Sequence, residues 1–351
     1  MVLFSPPLFS PPPIFSPPHP PPLPTSPLSV QATPLLGLNP ALDFSRESLS
    51  SDEDERVETA VTAPLRRKQL KGEVQKRIQR QTDEYWANKV RSLVMQGNFL
   101  SLLIEEDTNV SWKSYLWNLP RGLVKFAINS SLDTLPSADN LRRWGKRVSD
   151  VCPLCGGNSK QTLNHILSSC SSALNQGRFT WRHDSVLKTI FSFVEGKIQN
   201  GFSIYADLAG KGAGGGHVFP SNVIVTSQRP DIIVTNTAER KVVIFELTCP
   251  FDTNIVTAHN FKTDKYASLV NDLMGDGYTV DLYCVEISVR GQVSKANRAR
   301  LKSFLLKTTG LRRGVSVDLI TKMSKSSLLS SFSIFCARNE ATWQMDASIT
   351  L

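Results

Sequence analysis

The chain has 351 residues, of which 40% are apolar, and it carries a formal net charge of +9. That length can hold two or three modest domains with a sizeable core. The excess of basic residues favours polyanionic partners such as nucleic acid, because a cationic surface attracts phosphates. Six cysteines are too few to make a disulfide scaffold in so long a chain, and no apolar run is long enough to span a bilayer.

The amino-terminal part, residues 1–63, is predicted to be a Pro-rich and acidic tail. Residues 1–40 are mostly Pro, Ser, Leu and Phe, and proline at that density excludes helices and sheet ladders. This segment is interpreted as disordered, with an SH3 or WW ligand as the alternative, and residues 50–58 as a solvated acidic linker. The first residues lack the basic start and unbroken apolar stretch of a secretory signal, so none is expected.

A basic helical linker is predicted over residues 64–150. Leu70, Val74 and Ile78 recur four residues apart, which is a helical spacing. An apolar helix from Leu123 and a short basic helix capped at 137–140 are predicted to follow. The first helix could lie along a nucleic-acid backbone or simply face solvent. Its basic residues are Arg66, Arg67, Lys68, Lys71, Lys76, Arg77 and Arg80.

Residues 151–200 contain a metal-ligand pattern, C-x2-C-x9-H-x4-C. A Cys-x2-Cys turn directs two thiolates at one ion, and a His and a Cys from the end of a short helix close the tetrahedron. The ligands are Cys152, Cys155, His165 and Cys170. The pattern predicts a structural Zn²⁺ and a reducing, intracellular compartment, and the alternative is a set of buried thiols beside an unrelated histidine.

The helix after this knuckle is predicted to open at Arg182, His183 and Asp184. Asp184 is the better capping residue, and His183 is interpreted as part of the polar helix start, with a phosphate contact as the alternative. The glycine-rich loop 210–219 lacks the Lys-Ser/Thr ending of a phosphate-binding loop, so nucleotide binding is rejected there.

An α/β domain is predicted over residues 201–325, and a C-terminal tail over 326–351. Its strands and helices alternate so as to form a mixed sheet covered by helices, which is the arrangement on which PD-(D/E)xK nucleases place their acids. The predicted strands are Val223–Thr226, Ile232–Thr235, Val242–Leu247, Val280–Val289 and Val315–Ile320, and the predicted helices are Asn260–Met274 and Lys295–Lys307.

Two acids in this domain are predicted to meet at one edge of the sheet. Asp231 starts one strand and Glu246 lies near the end of the next, and a short turn makes these strands antiparallel. Two carboxylates suit Mg²⁺, which ionises a bound water and neutralises charge on a phosphate. The usual lysine position is Thr248, so the lysine must come from the following helix, with Lys262 better placed and Lys265 behind it.

Other residues complete this candidate site. Tyr266 could pack or hydrogen-bond at the same edge, Asp252 is a weaker third acid, and Asp207 is an upstream one. The alternative is that Asp231 belongs to a simple turn and that Glu246 is an exposed strand end. Against it, the apolar neighbours of Glu246 make an unpaired carboxylate costly.

The order of these motifs resembles the carboxyl end of non-LTR retrotransposon polyproteins that carry a restriction-enzyme-like endonuclease. The resemblance covers roughly residues 64–320, through LPRG..KFAIN..LDTLP...NLRRWGKR, C-x2-C...H-x4-C, WRHDSVL and RPD...FELTCPFD...AH..K..KY. It implies that Asp231, Glu246 and Lys262 match catalytic positions and that Lys265 and Tyr266 match the following Lys-Tyr pair. It also implies that the four Cys and His ligands match the family's CCHC knuckle.

In such proteins the nuclease nicks chromosomal DNA, and the exposed 3′ hydroxyl primes reverse transcription of the element's RNA. The resemblance therefore implies an Mg²⁺-dependent nicking endonuclease in the nucleus, with structural Zn²⁺, DNA and element RNA as partners, and neither a membrane nor a small-molecule cofactor. A catalytically inactive nucleic-acid-binding remnant is the alternative, and a resolvase-like activity on branched DNA is a further one. No polymerase palm signature is found, so a truncated fragment of an element is expected.

Overall fold

The computed structural model describes residues 62–93, 96–97, 99–100, 109–110, 119–214, 217–311 and 315–344. The chain divides into two units, residues 1–65 and Arg66–Leu351, and the packing that follows belongs to the second. The predicted Pro-rich tail lies outside the described residues except at its last two positions. Among the described helices, none is long and apolar enough to cross a membrane.

The secondary structure begins with helices, continues with a sheet, and ends with helices. In chain order the elements are α1 Thr62–Arg91, β1 Asn109–Val110, α2 Arg121–Ser131, α3 Ala138–Arg143, a π-helical turn His165–Ser169, α4 Ser171–Asn175, α5 Arg178–Glu195, β2 Ser203–Ala206, β3 Ile232–Asn236, β4 Lys241–Thr248, a 3₁₀ turn Asp252–Asn254, α6 Ile255–Gly275, β5 Thr279–Glu286, β6 Gln292–Val293, α7 Lys295–Thr309 and α8 Val315–Cys336.

The central sheet has four strands in the order β2-β3-β4-β5. β3 is antiparallel to both β2 and β4, whereas β4 and β5 run parallel and are connected through α6. Ile232 pairs with Phe245 across the β3–β4 hairpin, and Thr248 pairs with Glu286 at the far end of β4 and β5. The expectation of a mixed α/β sheet covered by helices is confirmed at this level.

Alternate residues of each strand point to opposite faces of the sheet, and helices cover both faces. Ile232 and Phe245 pack with α5, α7 and α8, and the Phe245 and Phe304 ring centroids lie 4.5 Å apart. Ile233 and Ile244 pack with α6 through Tyr266 on the other face. By the same alternation, Asp231 and Glu246 belong to the α6 face.

Two predicted strands are wrong. Residues 223–226 form a turn and an extended loop, in which Val223 is buried and Val225 is 83% exposed. Residues 315–320 open helix α8 instead of forming a final strand. In that helix Leu319 and Met323 lie one turn apart and face the core beneath the sheet. The burial of these side chains along one side of a helix outweighs the preference of valine for strands.

Helix α8 crosses the predicted boundary at residue 325 and joins two cores. Its first half packs under the sheet, while Leu328, Ile334 and Phe335 pack with Phe126 of α2 and Leu167 of the π-helical turn. The segment predicted as a C-terminal tail thus begins inside a buried helix.

Asp252, the predicted third acid, belongs to a buried ion pair. Arg290 Nε donates to Asp252 Oδ2 at 2.7 Å, and its Nη1 donates to the Ser130 carbonyl of α2 at 2.7 Å. The guanidinium also lies over the rings of Phe99 and Phe251, at 4.0 and 4.9 Å from the centroids. This pair connects α2 to the loops after β4 and β5.

We expect Asp252→Asn to destabilise the protein by about 3–5 kcal/mol, because it leaves a buried guanidinium without a counter-charge. Chemical denaturation measures the effect. Asp318→Asn is the matched control, since its ion pair with Lys322 is largely exposed. Equal unfolding midpoints for the two variants would contradict the structural role given to Arg290 and Asp252.

Candidate functional site

Four soft ligands come together between α3 and α4. The donor atoms of Cys152, Cys155, His165 and Cys170 all lie within 4.8 Å of one another. Cys155 Sγ is 3.6 Å from His165 Nε2. A tetrahedral zinc ion about 2.3 Å from each thiolate separates neighbouring sulfurs by about 3.8 Å, so the cluster needs little contraction to hold one. The predicted ligand set is thus assembled in the fold.

The backbone around the cluster explains how a short sequence achieves this. Gly156 has a φ of +61°, a left-handed conformation that glycine adopts without strain, and its N–H donates to the Cys152 carbonyl at 3.2 Å. His165 opens the π-helical turn and Cys170 precedes α4. The Cys-x2-Cys turn and the His-x4-Cys turn therefore face each other.

The ionisation of the ligands suits a metal. Burial lowers the pKa of His165, so its imidazole is neutral and has a lone pair for an ion. Burial raises the pKa of Cys170 to about 11, and the other thiols of the cluster add to that effect. A bound cation reverses this cost, because it stabilises the thiolates.

The two predicted acids lie opposite each other on neighbouring strands. Asp231 immediately precedes β3, and the pairing of Ile232 with Phe245 sets it against Glu246. The Asp231 N–H donates to Glu246 Oε2 at 3.2 Å, and the Leu247 N–H donates to Asp231 Oδ2 at 2.6 Å. Both side chains are buried, Asp231 at 8% and Glu246 at 2% exposure.

Of the two predicted lysines, only Lys262 reaches the acids directly. Its Nζ donates to Glu246 Oε1 from one side of α6. Lys265 Nζ lies 2.9 Å from the hydroxyl of Tyr266, which in turn donates to the Arg229 carbonyl at 3.0 Å. Lys265 therefore contacts Tyr266 and not the acids.

The charges in this group are strongly coupled. Burial and the negative charge of Asp231 raise the pKa of Glu246, and the Lys262 ammonium opposes that shift. Burial and the neighbouring Glu246 carboxylate raise the pKa of Tyr266 well above its usual range, so its hydroxyl stays neutral. Two buried carboxylates on neighbouring strands stay ionised only when cations lie next to them.

His183 is one such partner, and its interpretation as part of a helix start is wrong. Helix α5 begins at Arg178, so His183 lies in its second turn. Its Nε2 is 3.2 Å from both Asp231 Oδ2 and the Leu247 carbonyl, and its Nδ1 is 3.0 Å from Asp184 Oδ1.

The contacts of His183 determine its charge. The neighbours of both ring nitrogens are acceptors, so both nitrogens carry protons. Burial opposes the charged ring, but the hydrogen bonds to Asp184 and Asp231 outweigh it and raise the pKa of His183 to about 11. An imidazolium thus fixes Asp231.

The two weaker predicted acids do not join this group. Asp207 accepts from Arg229 Nε at 3.1 Å, and only its backbone N–H contacts the Asp231 carbonyl, at 2.9 Å. Asp252 is occupied by Arg290. The structure therefore brings together Asp231, Glu246 and Lys262, with His183 added and Tyr266 alongside.

The comparisons with known proteins concern the zinc cluster. Residues 98–176 match a family model described as zinc-binding in reverse transcriptase, and this range contains all four ligands. No curated protein matches the chain. The match and the cluster support a zinc-binding module of the kind found in reverse-transcriptase-related proteins of retroelements. The matched range ends before the sheet that carries the acids.

We expect the full chain to bind one zinc ion and to hold it much more weakly in Cys170→Ala, because that variant loses one of the four thiolate and imidazole ligands of a structural site. Metal analysis of the purified protein measures the stoichiometry, and a thermal melt with and without chelator measures the coupling to folding. Cys336→Ala is the control, since Cys336 is exposed and lies outside the cluster. Equal zinc content in the two variants would count against the site.

Proposed function

We propose that this chain is a metal-dependent DNA endonuclease module that nicks one strand, joined to a zinc-binding module and a basic helix that hold nucleic acid. The observation that carries the proposal is that Asp231 lies opposite Glu246 and that Lys262 of α6 donates to Glu246. An antiparallel hairpin followed by a helix and a parallel strand is also the framework expected of a PD-(D/E)xK nuclease. By analogy with retroelement nucleases, it would act on chromosomal DNA in the nucleus beside the element's RNA.

The residues present fit Mg²⁺. Both acids offer oxygen ligands, which this ion prefers. Asp231 uses only Oδ2 for its hydrogen bonds within the described part of the chain, which leaves Oδ1 for a cation. Burial and the charge of Asp231 raise the pKa of Glu246, and a divalent ion between the two carboxylates would relieve that repulsion.

Each side chain then has a defined task. When bound, Mg²⁺ would supply a Lewis acid that eases the loss of a proton from a water molecule. Asp231 and Glu246 hold the ion, and His183 fixes Asp231 through its imidazolium. The Lys262 ammonium neutralises charge that develops on the phosphate, from a helix instead of from the position of Thr248. Tyr266 contributes by fixing the loop at Arg229.

The exposed basic residues of α1 support nucleic-acid binding in this function, and they equally favour the inactive nucleic-acid-binding remnant. Residues 66–80 carry seven basic side chains against one acidic side chain, Glu73, and all of them are exposed. A row of cations along a helix can neutralise several phosphates and release their counterions. The two functions share this binding and differ in turnover.

We expect Asp231→Asn, Glu246→Gln and Lys262→Met each to lower nicking of supercoiled plasmid in Mg²⁺ by a hundredfold or more, on the order of the loss for other electrostatic catalytic groups. Asp264→Asn, an exposed acid on the same helix, should nick like the wild type. A branched substrate beside plain duplex separates a resolvase-like activity. A wild type that binds DNA without nicking it would leave the remnant as the function.

We expect replacement of Lys68, Lys71 and Lys76 by Gln to weaken DNA binding and to flatten its dependence on salt. Each lost phosphate contact lowers the slope of log K against log salt by about 0.9 for duplex DNA. A salt titration of binding measures it. Lys322→Gln on α8 is the control, because that lysine pairs with Asp318. An unchanged slope in the triple variant would exclude α1 from the interface.

A further inference from the structure

Another buried carboxylate lies on the strand next to the one that carries Glu246. Glu286 ends β5, where it pairs in parallel register with Thr248, and two residues earlier Cys284 pairs with Glu246. Strand alternation therefore sets Glu246, Cys284 and Glu286 on the same face of the sheet, which α6 covers. Glu286 is 1% exposed, and burial raises the pKa of Cys284 to about 11, with both glutamates adding to that effect.

His259 meets this carboxylate from α6. It precedes Lys262 by three residues, so the two side chains share one side of the helix. His259 Nδ1 is 3.0 Å from Glu286 Oε1. Its Nε2 has no hydrogen-bond partner in the part of the chain that the structure describes, and the side chain is 24% exposed. The ring thus has one nitrogen fixed by a buried carboxylate and the other open to solvent.

A ring nitrogen that faces a carboxylate is a donor, so the contact with Glu286 places a proton on Nδ1 of His259. Arg300 of α7 lies 3.6 Å from Glu286 Oε2, so the carboxylate also has an arginine as its partner. Burial raises the pKa of Glu286, and His259, Arg300 and Asn297 oppose that shift. In the neutral ring the lone pair is then on Nε2.

The two pairs, Glu246 with Lys262 and Glu286 with His259, lie on neighbouring strands under the same side of α6. Three residues of helix rise about 4.5 Å, and two residues of strand rise about 6.6 Å. A phosphate that contacts Lys262 would therefore lie about one helical turn from the open nitrogen of His259.

Building on the proposed nuclease function, we propose that His259 is a further catalytic residue that accepts the proton of the attacking water, with Glu286 as its positioning residue. The water oxygen forms a bond to phosphorus while its proton moves to Nε2. The bond from phosphorus to O3′ breaks, its electron pair stays on O3′, and that oxygen takes a proton from solvent water. His259 then releases its proton to solvent, which leaves a 3′ hydroxyl and a 5′ phosphate.

The first test compares nicking by His259→Ala, Glu286→Gln and the control His217→Asn, a histidine of the glycine-rich loop. General base catalysis contributes about a hundredfold or more, so His259→Ala should lose that factor and keep its affinity for DNA. Added imidazole should restore part of its activity, whereas Glu286→Gln should show a smaller loss and an altered pH profile.

A His259→Ala variant that nicks like the wild type overturns this proposal alone, and so does a loss that imidazole fails to rescue. An inactive wild type overturns it together with the nuclease function.

The second test does not depend on turnover. The chain has five histidines, so ¹⁵N-histidine labelling of the full protein resolves each ring, and His259→Ala assigns the signal. We expect a neutral ring at pH 7 with its proton on Nδ1, and loss of that single tautomer in Glu286→Gln. A charged ring, or a proton on Nε2, would overturn the proposal because neither form has a lone pair on the open nitrogen.

Discussion

The pairing of β3 with β4 is the interaction on which the candidate site depends. It sets Asp231 against Glu246, and each carboxylate accepts an N–H from the opposite strand. A slip of one residue in this register would turn one of the acids towards the core under α5, α7 and α8. That core includes the apolar rings of Phe245 and Phe304, among which a buried carboxylate would have no partner. The apolar packing of the hairpin therefore also fixes the geometry of the acids.

Two buried carboxylates in contact are unfavourable without cations, and the fold supplies one cation from each side. His183 comes from α5 to Asp231, and Lys262 comes from α6 to Glu246. Removing either would leave a buried charge unmatched, which costs more than the pair contributes. The two side chains thus match the charges of the acids, and Asp231 Oδ1 still has no hydrogen-bond partner in the described part of the chain. The open ligand atom is a carboxylate oxygen, which suits a hard ion such as Mg²⁺.

The sequence predicts what local spacing determines and misses what the tertiary fold determines. The Cys and His ligands and the β3–β4 hairpin follow from short spacings, and the predicted bounds of α7 are close to those observed, whereas α6 begins at Ile255 instead of Asn260. The residues at 315–320 have the composition of a strand, but burial along one helical side makes them the start of α8. His183 and Asp231 lie 48 residues apart, and no periodicity indicates such a contact. His259 and Glu286 were missed for the same reason.

Arg182 explains why the zinc cluster and the acids belong to one structure. It is buried, and burial lowers its pKa to about 10, yet its guanidinium donates to the Leu167 carbonyl at 2.8 Å and lies 3.4 Å from the Cys249 carbonyl. Leu167 is in the π-helical turn that begins at the zinc ligand His165, and Cys249 follows β4 directly. The next residue along the chain is His183, which holds Asp231. An ordered π-helical turn therefore fixes Arg182, and Arg182 fixes the part of α5 that delivers the imidazolium to the acids.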